Sequence, residues 1–313
     1  MKQKLNIFVL AGMIMHSVMA GRFWLWNVFS FLPSALFVLP LIVLIVWNIR
    51  WKNTCGMLFV LAAVPFTFFY ADIQLPSLFN PSHSDSSITV FNLNTEYWET
   101  GHEKEFLEFL KNQQADVYQL QEFWTPDGTP LTDTYAIKAV FPGYDVINDG
   151  ELLTISRFPV LHSSLSDTKK ILRTDIDVHG NTVSFYNVHI TPPIDTTFSS
   201  AFTFLSMIKE KFTRRLPQFS ALQQDATANI HPVYISGDFN TTKSMGDMIP
   251  LLRNFEDSSH KSSSIIPHTW GFTKQKILRI DYNLVKGMKV LRHQSINASN
   301  FSDHNGQRVT VSL

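Results

Sequence analysis

The sequence predicts a layered α/β domain preceded by apolar, membrane-crossing helices. Two observations lead to this fold class. The first 82 residues contain five Lys/Arg and one acid, Asp72, whereas residues 83–313 contain 21 basic and 25 acidic side chains. From Ile88 onward, short β-like runs alternate with helix-like runs, which is typical of helices packed on sheets. A length of 313 residues with 45% apolar content suffices for one large domain and an appendage.

The apolar part of the chain is predicted to be a membrane anchor over residues 1–76. It has three apolar runs, at about 5–20, 23–47 and 54–71, and about 20 apolar residues can cross a bilayer. The first run ends in Val18-Met-Ala20, which resembles a signal-peptide cleavage site. The sequence therefore predicts two or three transmembrane helices, with the lipid bilayer as their partner. A buried helix of a soluble protein is the alternative for any single run.

The basic residues around these runs predict the side of the membrane on which the domain lies. Arg50 and Lys52 occupy the second connection, and Lys2 and Lys4 begin the chain. Such residues stay on the cytoplasmic side in short connections. The chain after residue 72 is therefore expected on the non-cytoplasmic side, whether or not the first run is cleaved.

A tether over residues 77–87 is predicted to lead into a folded domain over residues 88–313. The domain begins with Ile88-Thr-Val-Phe-Asn-Leu-Asn94, in which alternation places apolar and amide side chains on opposite faces of a strand. Residues 102–114 have apolar side chains at helical spacing. Further strands are predicted at 116–123, 152–156, 182–190, 233–236, 280–285 and 308–313.

A second helix is predicted between residues 198 and 216, where large apolar side chains recur every three or four positions. These side chains are Phe198, Phe202, Leu205, Ile208, Phe212 and Leu216. We interpret the stripe as facing the domain core, with approach to a membrane as the alternative. The single cysteine, Cys55, lies outside this domain, so the domain must be stabilised by its own core rather than by disulfides.

Polar side chains follow several of the predicted strands, where a rigid element presents them to an open loop. Four are carboxylates: Glu122, Asp238, Asp281 and Asp303. Five are amides or imidazoles: Asn92, Asn94, Asn240, His189 and His304. Clustered carboxylates repel one another, and hard oxygen ligands without cysteine favour Mg²⁺, with Mn²⁺ as the alternative, over zinc. Because such an ion binds substrate phosphate, these residues predict phosphoester hydrolysis.

Six short segments occur in a fixed order: Phe91-Asn-Leu-Asn94, Leu120-Gln-Glu122, Asn187-Val-His189, Gly237-Asp-Phe-Asn240, Arg279-Ile-Asp-Tyr282 and Ser302-Asp-His304. In this order they closely resemble the endonuclease/exonuclease/phosphatase superfamily, which includes deoxyribonuclease I and sphingomyelinases. The resemblance covers about residues 88–313. It implies an α/β four-layer sandwich of two packed β-sheets flanked by helices. It also implies a Mg²⁺-dependent phosphoric ester hydrolase of the phosphodiesterase or nuclease type.

The resemblance also implies which residues bind a metal ion. Glu122 corresponds to the principal metal carboxylate of the family. Asn92, Asn94 and Asp303 correspond to residues in or near the metal shell.

The remaining residues correspond to the family's catalytic groups. By resemblance, Asp238 orients or deprotonates the attacking water, and Asn240 holds a phosphate oxygen. His304, oriented by Asp281, contacts the phosphoryl group from one side and His189 contacts it from the other.

Several of these residues have a structural explanation when each is taken alone. His189 would then be a hydrogen-bonded structural histidine, and Asn92 the cap of a turn. Asp281 would be the ion-pair partner of Arg279, a role compatible with orienting a histidine. Glu151 is the candidate carboxylate that supports His189.

Charge and the predicted anchor bear on the substrate. Residues 83–313 have a formal charge of −4, which gives no broad attraction to nucleic acid. A lipid or other membrane-associated phosphodiester is therefore the first predicted substrate, and a surface nuclease acting on DNA or RNA is the alternative. A catalytically silent binding or scaffold module is a further hypothesis, although such a module has no need of four clustered carboxylates.

The sequence indicates no particular protein partner, but it bears on the location of the domain. Asn240-Thr-Thr242 is a potential glycosylation sequence within the predicted site. Because a glycan there would obstruct the site, the sequence favours a bacterial inner membrane, with the domain facing the periplasm, over a eukaryotic lumen.

Overall fold

The computed structural model describes residues 2–75, 87–98, 102–195, 199–271 and 274–313, which form a two-sheet domain and an N-terminal group of helices. The helices are α1 (Lys2–Met19), α2 (Asn27–Ser30), α3 (Leu39–Arg50), α4 (Met57–Tyr70), α5 (Glu103–Asn112), α6 (Tyr135–Val140), α7 (Ala201–Ala228) and α8 (Ile249–Leu252). The strands are β1 (Ser87–Asn94), β2 (Val117–Gln121), β3 (Asp145–Asp149), β4 (Leu152–Ser156), β5 (Val160–Leu165), β6 (Ile171–Val178), β7 (Asn181–His189), β8 (Val233–Asp238), β9 (Glu256–Asp257), β10 (Asp281–Lys286), β11 (Lys289–Ile296) and β12 (Gly306–Ser312). The predicted tether lies outside the described residues except for Ser87, with which β1 begins.

Two six-stranded sheets form the domain, and each contains one parallel pair of strands. The first sheet has the order β11-β12-β1-β2-β4-β3 and the second β5-β6-β7-β8-β10-β9. Strand β1 is parallel to β2, and β7 is parallel to β8, whereas the other neighbours are antiparallel. Parallel neighbours end at the same edge of a sheet. The two sheets together thus bring the carboxyl ends of β1, β2, β7 and β8 to one place.

The sheets pack face to face, and helices cover their outer faces. Val90 of β1 and Val309 of β12 are buried between the sheets. Leu110 of α5 is buried on the outside of the first sheet, and Leu222 of α7 on the outside of the second. Burying each such side chain stabilises the fold by about 1.5–3 kcal/mol. The prediction of two packed sheets flanked by helices is confirmed.

Helix α7 is longer than the periodicity predicts. Pro217 lies inside it, yet the helix continues to Ala228, because Leu222 and other apolar side chains beyond the proline are buried in the outer core. Phe212 also faces the domain, whereas Phe202 is 79% exposed. Phe198 lies outside the described residues. The apolar stripe is therefore a core face over only part of its length.

The apolar run at 23–47 is not one straight helix. It bends by 88° between Trp24–Ser30 and Ser34–Arg50. Pro33 lacks an amide hydrogen and disfavours helical backbone at Leu32, which favours a break of the helix at this point. Among the described helices, none is by itself long and apolar enough to cross a membrane. The two segments of the bent pair reach the required length and apolar character only when they are counted together. The run predicted to form one helix over about residues 23–47 therefore forms two segments.

Helices α1, α3 and α4 pack into a group that we call the N-terminal bundle. Met13, Leu44 and Ala63 are buried at its centre. At the end away from the two-sheet domain, the side-chain amides of Asn6 and Asn48 exchange hydrogen bonds of 3.0 and 2.9 Å. Many apolar side chains of the bundle are exposed, among them Ile7, Phe8, Ile14, Val46, Ile49, Leu58 and Leu61.

Residues 24–38, which we call the connector, join α1 to α3 beside the domain. The carbonyl of Ser30 accepts a hydrogen bond of 2.6 Å from the Ser244 hydroxyl. Nearby, the backbone that ends α1 touches the turn at Gly246, where a Cβ atom would lie 2.5 Å from the carbonyl carbon of Ala20. Only glycine permits this approach. The bundle and connector are thus attached to the segment that directly follows Asn240.

A buried group of four charges makes the second attachment. Asp72 follows α4, is 1% exposed, and contacts Lys243 Nζ at 2.6 Å and Arg279 Nη1 at 3.1 Å. Asp257 contacts Arg279 Nη2 at 2.6 Å and Lys243 Nζ at 3.4 Å. Burial alone would raise the pKa of Asp72, but Arg279 and Lys243 outweigh it, so the pKa lies below its usual value. The single acid of the apolar region therefore binds the two-sheet domain.

Candidate active site

The predicted polar residues gather at the edge where β1, β2, β7 and β8 end. Six of the nine line a cleft of about 360 Å³, and the other three, Asn92, Asn94 and Asp281, are not part of its lining. Its polar lining consists of Glu96, Glu122, Lys170, His189, Asp238, Asn240, Asp303 and His304. Phe31 of the connector also lines this cleft, together with Tyr97, Trp124 and Trp270.

Asp238 lies at the end of β8 and is fixed by hydrogen bonds on both carboxylate oxygens. Oδ1 accepts from the backbone amide of Asn240 at 2.7 Å, and Oδ2 accepts from Asn94 Nδ2 at 3.0 Å. Gly237 has φ +146°, and a Cβ atom there would lie 1.9 Å from the carbonyl oxygen of Val188. Glycine is therefore required beside Asp238 for β7 and β8 to pair.

Asn240 begins the loop after β8 in a left-handed conformation, with φ 49°. Its Nδ2 donates to the Ile190 carbonyl at 2.9 Å and to Asp238 Oδ2 at 3.1 Å. Such backbone conformations persist where the surroundings enforce them, and they concentrate at functional sites. In the structure Asn240 positions Asp238, and the predicted contact with a phosphate oxygen stays a prediction.

His304 is held between three carboxylates. Its Nδ1 lies 2.9 Å from Asp281 Oδ2, and its Nε2 lies 3.8 Å from Asp238 Oδ2 and 3.6 Å from Asp303 Oδ1. Burial alone would lower the pKa of His304, but the charge and hydrogen bond of Asp281 outweigh it and raise the pKa to about 10. Asp281 contacts this histidine, whereas Arg279 pairs with Asp72 and Asp257.

His189 ends β7 on the opposite side of Asp238. Its Nδ1 lies 3.1 Å from Glu151 Oε1, and its Nε2 lies 3.6 Å from Glu122 Oε1. Burial would lower the pKa of His189, but Glu151 outweighs it, so the pKa is raised. Lys170 also contacts Glu151. The structure thus brings the candidate support Glu151 against His189.

Two further carboxylates, Glu122 and Asp303, form the wall of the cleft with Glu96. Glu122 follows β2 with φ 60° and accepts from Asn94 Nδ2 at 3.0 Å. Asp303 accepts from Trp270 Nε1 at 2.6 Å, and its backbone amide donates to Glu96 Oε2 at 2.7 Å. Burial, followed by the charge of Asp303, raises the pKa of Glu96. Glu96 was missed in the sequence because it lies in a loop, outside the strand pattern.

Asn92 lies behind the cleft rather than in it. It is fully buried, and its Oδ1 accepts from Gln121 Nε2 at 2.9 Å. Gln121 also donates to Asn187 Oδ1 at 2.7 Å, and Asn187 Nδ2 donates to the Leu120 carbonyl at 3.0 Å. This amide network fixes the end of β2, from which Glu122 projects. Asn92 therefore reaches the predicted metal shell only through other residues.

Arg215 of α7 supports the loops around the site. It is buried, and its Nη1 donates to the carbonyls of Thr191 and Asn240 at 2.7 and 2.9 Å. Its Nη2 contacts Asp247 at 2.8 Å. Gln218 accepts from the Thr191 amide at 2.9 Å. One turn of α7 thus fixes the segments that follow His189 and Asp238.

The donor set suits a divalent cation. A carboxylate oxygen of Asp238, a carboxylate oxygen of Asp281 and a ring nitrogen of His304 lie within 4.8 Å of one another, so the two carboxylates can bind a cation beside the imidazole. The Oδ1 atom of Asp281 is buried without a hydrogen-bond partner among the described residues. Burial and then the charge of Asp281 raise the pKa of Asp238 to about 6. A cation bound between the two carboxylates would relieve the repulsion between them. Glu122 and Asp303 add oxygen ligands at the adjoining wall, so the residues fit Mg²⁺ or Mn²⁺.

Solved structures show the same fold. An endonuclease/exonuclease/phosphatase family protein from Leptotrichia buccalis is 16% identical, with a TM-score of 0.50 over 72% of this chain and 100% of that chain. Humanized D. rerio TDP2 is 16% identical, with a TM-score of 0.56 over 73% and 100%. A family protein from Bacteroides thetaiotaomicron is 17% identical, with a TM-score of 0.51 over 74% and 96%. No curated protein matches the sequence.

The family model provides the assignment. The model of the Endonuclease/Exonuclease/phosphatase family matches residues 89–304, more than half of the chain. This range runs from β1 to His304 and includes every residue described above at the cleft except Phe31. Members of the family are generally hydrolases that act on phosphoesters with a divalent metal. The chain therefore belongs to the endonuclease/exonuclease/phosphatase family.

Proposed function

We propose that this protein is a metal-dependent phosphodiesterase, held at a membrane by its N-terminal bundle and acting on a lipid or another membrane-associated phosphodiester. One observation carries the proposal. Phe31 of the connector lines the same cleft as Asp238 and His304. The reacting centre is therefore adjacent to the apolar part of the chain, where a membrane substrate would be presented.

The surface of the bundle supports its insertion into a bilayer. Phe8 is 76% exposed and Leu58 is 69% exposed, and soluble monomers rarely expose large apolar patches. Arg50 ends α3 close to Asn48, which bonds Asn6 at the start of α1, whereas the other end of α1 contacts the domain at Gly246. Arg50 and the following Lys52 are therefore at the end away from the domain, as expected for the cytoplasmic side. In this proposal the bundle enters the bilayer as a unit, and the domain rests on the non-cytoplasmic surface. A bacterial inner membrane facing the periplasm is the proposed location.

The chemistry would begin with a water molecule aligned by Asp238. Both oxygens of this carboxylate are fixed by Asn94 and Asn240, so its lone pairs have a defined direction. The water oxygen bonds to phosphorus as Asp238 takes its proton, and the ester P–O bond breaks. A divalent ion bound by the surrounding carboxylates would neutralise charge on the phosphoryl oxygens.

The two histidines would act as proton donors on either side of the phosphoryl group. The charge of Asp281 raises the pKa of His304 to about 10, so this imidazole is protonated at neutral pH, and Glu151 raises the pKa of His189, which favours its protonated form. In each, Nδ1 faces a carboxylate, Asp281 or Glu151, and Nε2 faces the cleft. One Nε2 proton can stabilise a phosphoryl oxygen while the other passes to the leaving alcohol.

The proposal is tested with the full chain reconstituted in vesicles of mixed phospholipids. We expect Mg²⁺-dependent release of phosphorylated or free headgroups, and no nicking of plasmid DNA under the same conditions. Because the bundle concentrates the cleft at headgroups, the preference for lipid should exceed tenfold, about 1.4 kcal/mol. Nicking of DNA without headgroup release would favour a nuclease instead. Absence of either activity with any divalent ion would favour a binding or scaffold module.

A further inference from the structure

An apolar groove of about 710 Å³ opens on the N-terminal bundle. Helix α1 contributes Phe8 and Gly12, the connector contributes Phe29 and Leu32, and α3 contributes Val43. The volume is within the range of small-molecule sites, about 300–1,000 Å³.

The groove has almost no polar lining. Its polar side-chain atoms belong to His16 and Trp26, and Trp26 Nε1 donates to His16 Nδ1 at 3.0 Å. Within the described part of the chain, no lysine, arginine or carboxylate side chain lines it. A charged or strongly hydrated group would lose its hydration there without compensation. The chemistry of the groove therefore matches a hydrocarbon chain.

The groove and the catalytic cleft share one turn of the connector. Phe29 and Leu32 line the groove, whereas Phe31, between them in sequence, lines the cleft with Asp238. This turn is held in place because the Ser30 carbonyl accepts from the Ser244 hydroxyl at 2.6 Å. A molecule with a polar end in the cleft can therefore pass an apolar tail over the turn into the groove.

We propose that the groove holds the hydrocarbon chain of the substrate whose phosphoester lies at Asp238 and His304. This inference rests on the proposed phosphodiesterase function and specifies its substrate class, a phosphodiester bearing a long alkyl, acyl or isoprenoid chain. The chain would contribute binding energy at a distance from the reacting atoms. Phosphodiesters with short alkyl groups would react at the same centre but with lower kcat/KM.

Gly12 provides a substitution that fills the groove. It lies on α1 at the groove wall, and among the described residues a Cβ atom added there meets no atom within 4 Å beyond its neighbours and the backbone of its own helix. Gly12→Phe should occupy the space of the chain without disturbing the helix, and Gly12→Ala adds only a methyl group. Ala62→Phe is the matched control, since Ala62 is exposed on α4 and is not part of the groove lining.

The test compares methyl and octyl p-nitrophenyl phosphate, which have the same leaving group, with the full chain in phosphatidylcholine nanodiscs. We expect kcat/KM for the octyl ester to exceed that for the methyl ester at least about tenfold, because each buried methylene is worth about 0.8 kcal/mol, about fourfold in rate. Gly12→Phe should remove most of this ratio and leave the methyl ester rate unchanged. Ala62→Phe should retain the ratio. Because partitioning of the octyl ester into the nanodisc is the same for both variants, loss of the ratio in Gly12→Phe alone excludes partitioning as its cause.

The other outcomes separate the possible failures. An unchanged octyl-to-methyl ratio in Gly12→Phe, or an equal loss on both esters, would overturn the groove assignment while the phosphodiesterase stands. A change in the mass of the assembly, measured by light scattering, with an unchanged ratio would identify the groove as an interface between two copies. Failure of the wild-type protein to hydrolyse either ester would remove the proposed function and this inference with it.

Discussion

Replacing Asp238 by asparagine is expected to lower kcat/KM for phosphodiesters by about 10²- to 10⁴-fold, the contribution of a positioned general base. The same change should not destabilise the protein in the absence of divalent ions. Burial and the charge of Asp281 raise the pKa of Asp238 to about 6, so folding disfavours its ionised form, and a neutral amide avoids that cost. Both effects can be measured on one preparation: kcat/KM from an activity assay, and the free energy of unfolding from urea unfolding without divalent ions.

Asp175→Asn is the matched control for this experiment. Asp175 is also a buried aspartate of the second sheet, but it lies on β6 and accepts from the Ser184 hydroxyl at 2.6 Å and from Arg173 Nε at 2.9 Å. Its replacement should lower stability and leave kcat/KM unchanged. More than about a tenth of wild-type activity in Asp238→Asn would contradict the assigned role, since removal of a general base costs at least 10²-fold.

Replacing Asp72 by asparagine is expected to destabilise the full chain by about 3–5 kcal/mol, because it leaves an uncompensated buried positive charge. Asp72 and Asp257 balance Lys243 and Arg279, and all four side chains are largely buried. The double variant Asp72→Asn/Lys243→Met restores neutrality and should recover part of the loss. Urea unfolding of the two single variants and the double variant gives the coupling energy.

An exposed ion pair provides the comparison for this prediction. Glu210 contacts Arg214 at 3.2 Å, and their side chains are 64% and 63% exposed. Glu210→Gln should change the free energy of unfolding by about 0.5 kcal/mol or less. A similarly small effect of Asp72→Asn would show that the bundle is not fastened to the domain through this cluster.

The same cluster should make the protein sensitive to acid. Burial alone would raise the pKa of Asp257, but Arg279 and Lys243 outweigh it, and the pKa of Asp257 lies well below its usual value. The same two cations also lower the pKa of Asp72. Folding thus favours both ionised carboxylates. Their stabilisation is present above the unfolded pKa of about 3.9 and is lost as pH falls below it. Unfolding midpoints at decreasing pH should therefore fall more steeply for the wild type than for Asp72→Asn/Lys243→Met.

The sequence predicts the two-sheet domain well because its strands carry local signals. Alternation in residues 88–94 marks β1, and the acids or amides that follow strands mark one edge of the sheets. Topology then brings the carboxylates of Glu122 and Asp238 within hydrogen-bonding distance of the same amide, that of Asn94. Asn92 shares the alternation of Asn94, yet the structure places it in the buried amide network, since alternation defines a face and not a depth.

Other features depend on contacts that no local pattern contains. Asp72 and Arg279 are 207 positions apart in sequence, so their pairing follows only from the complete fold. Pro33 signals a break, but apolar content alone favours one continuous helix through it. At Pro217, by contrast, helix α7 continues, because burial of the following turns outweighs the hydrogen bond lost at the proline.

We expect the acids gathered where β1, β2, β7 and β8 end to bind a divalent ion and, with His189 and His304, to hydrolyse a phosphodiester. The most direct test follows p-nitrophenolate release from methyl p-nitrophenyl phosphate by the full-length protein, stripped with EDTA and then titrated with Mg²⁺ or Mn²⁺. We expect no turnover in EDTA, saturable recovery with either ion, and at most about a hundredth of that recovery in Asp238→Asn. Equal turnover with and without EDTA, or no turnover at any ion concentration, would contradict this expectation.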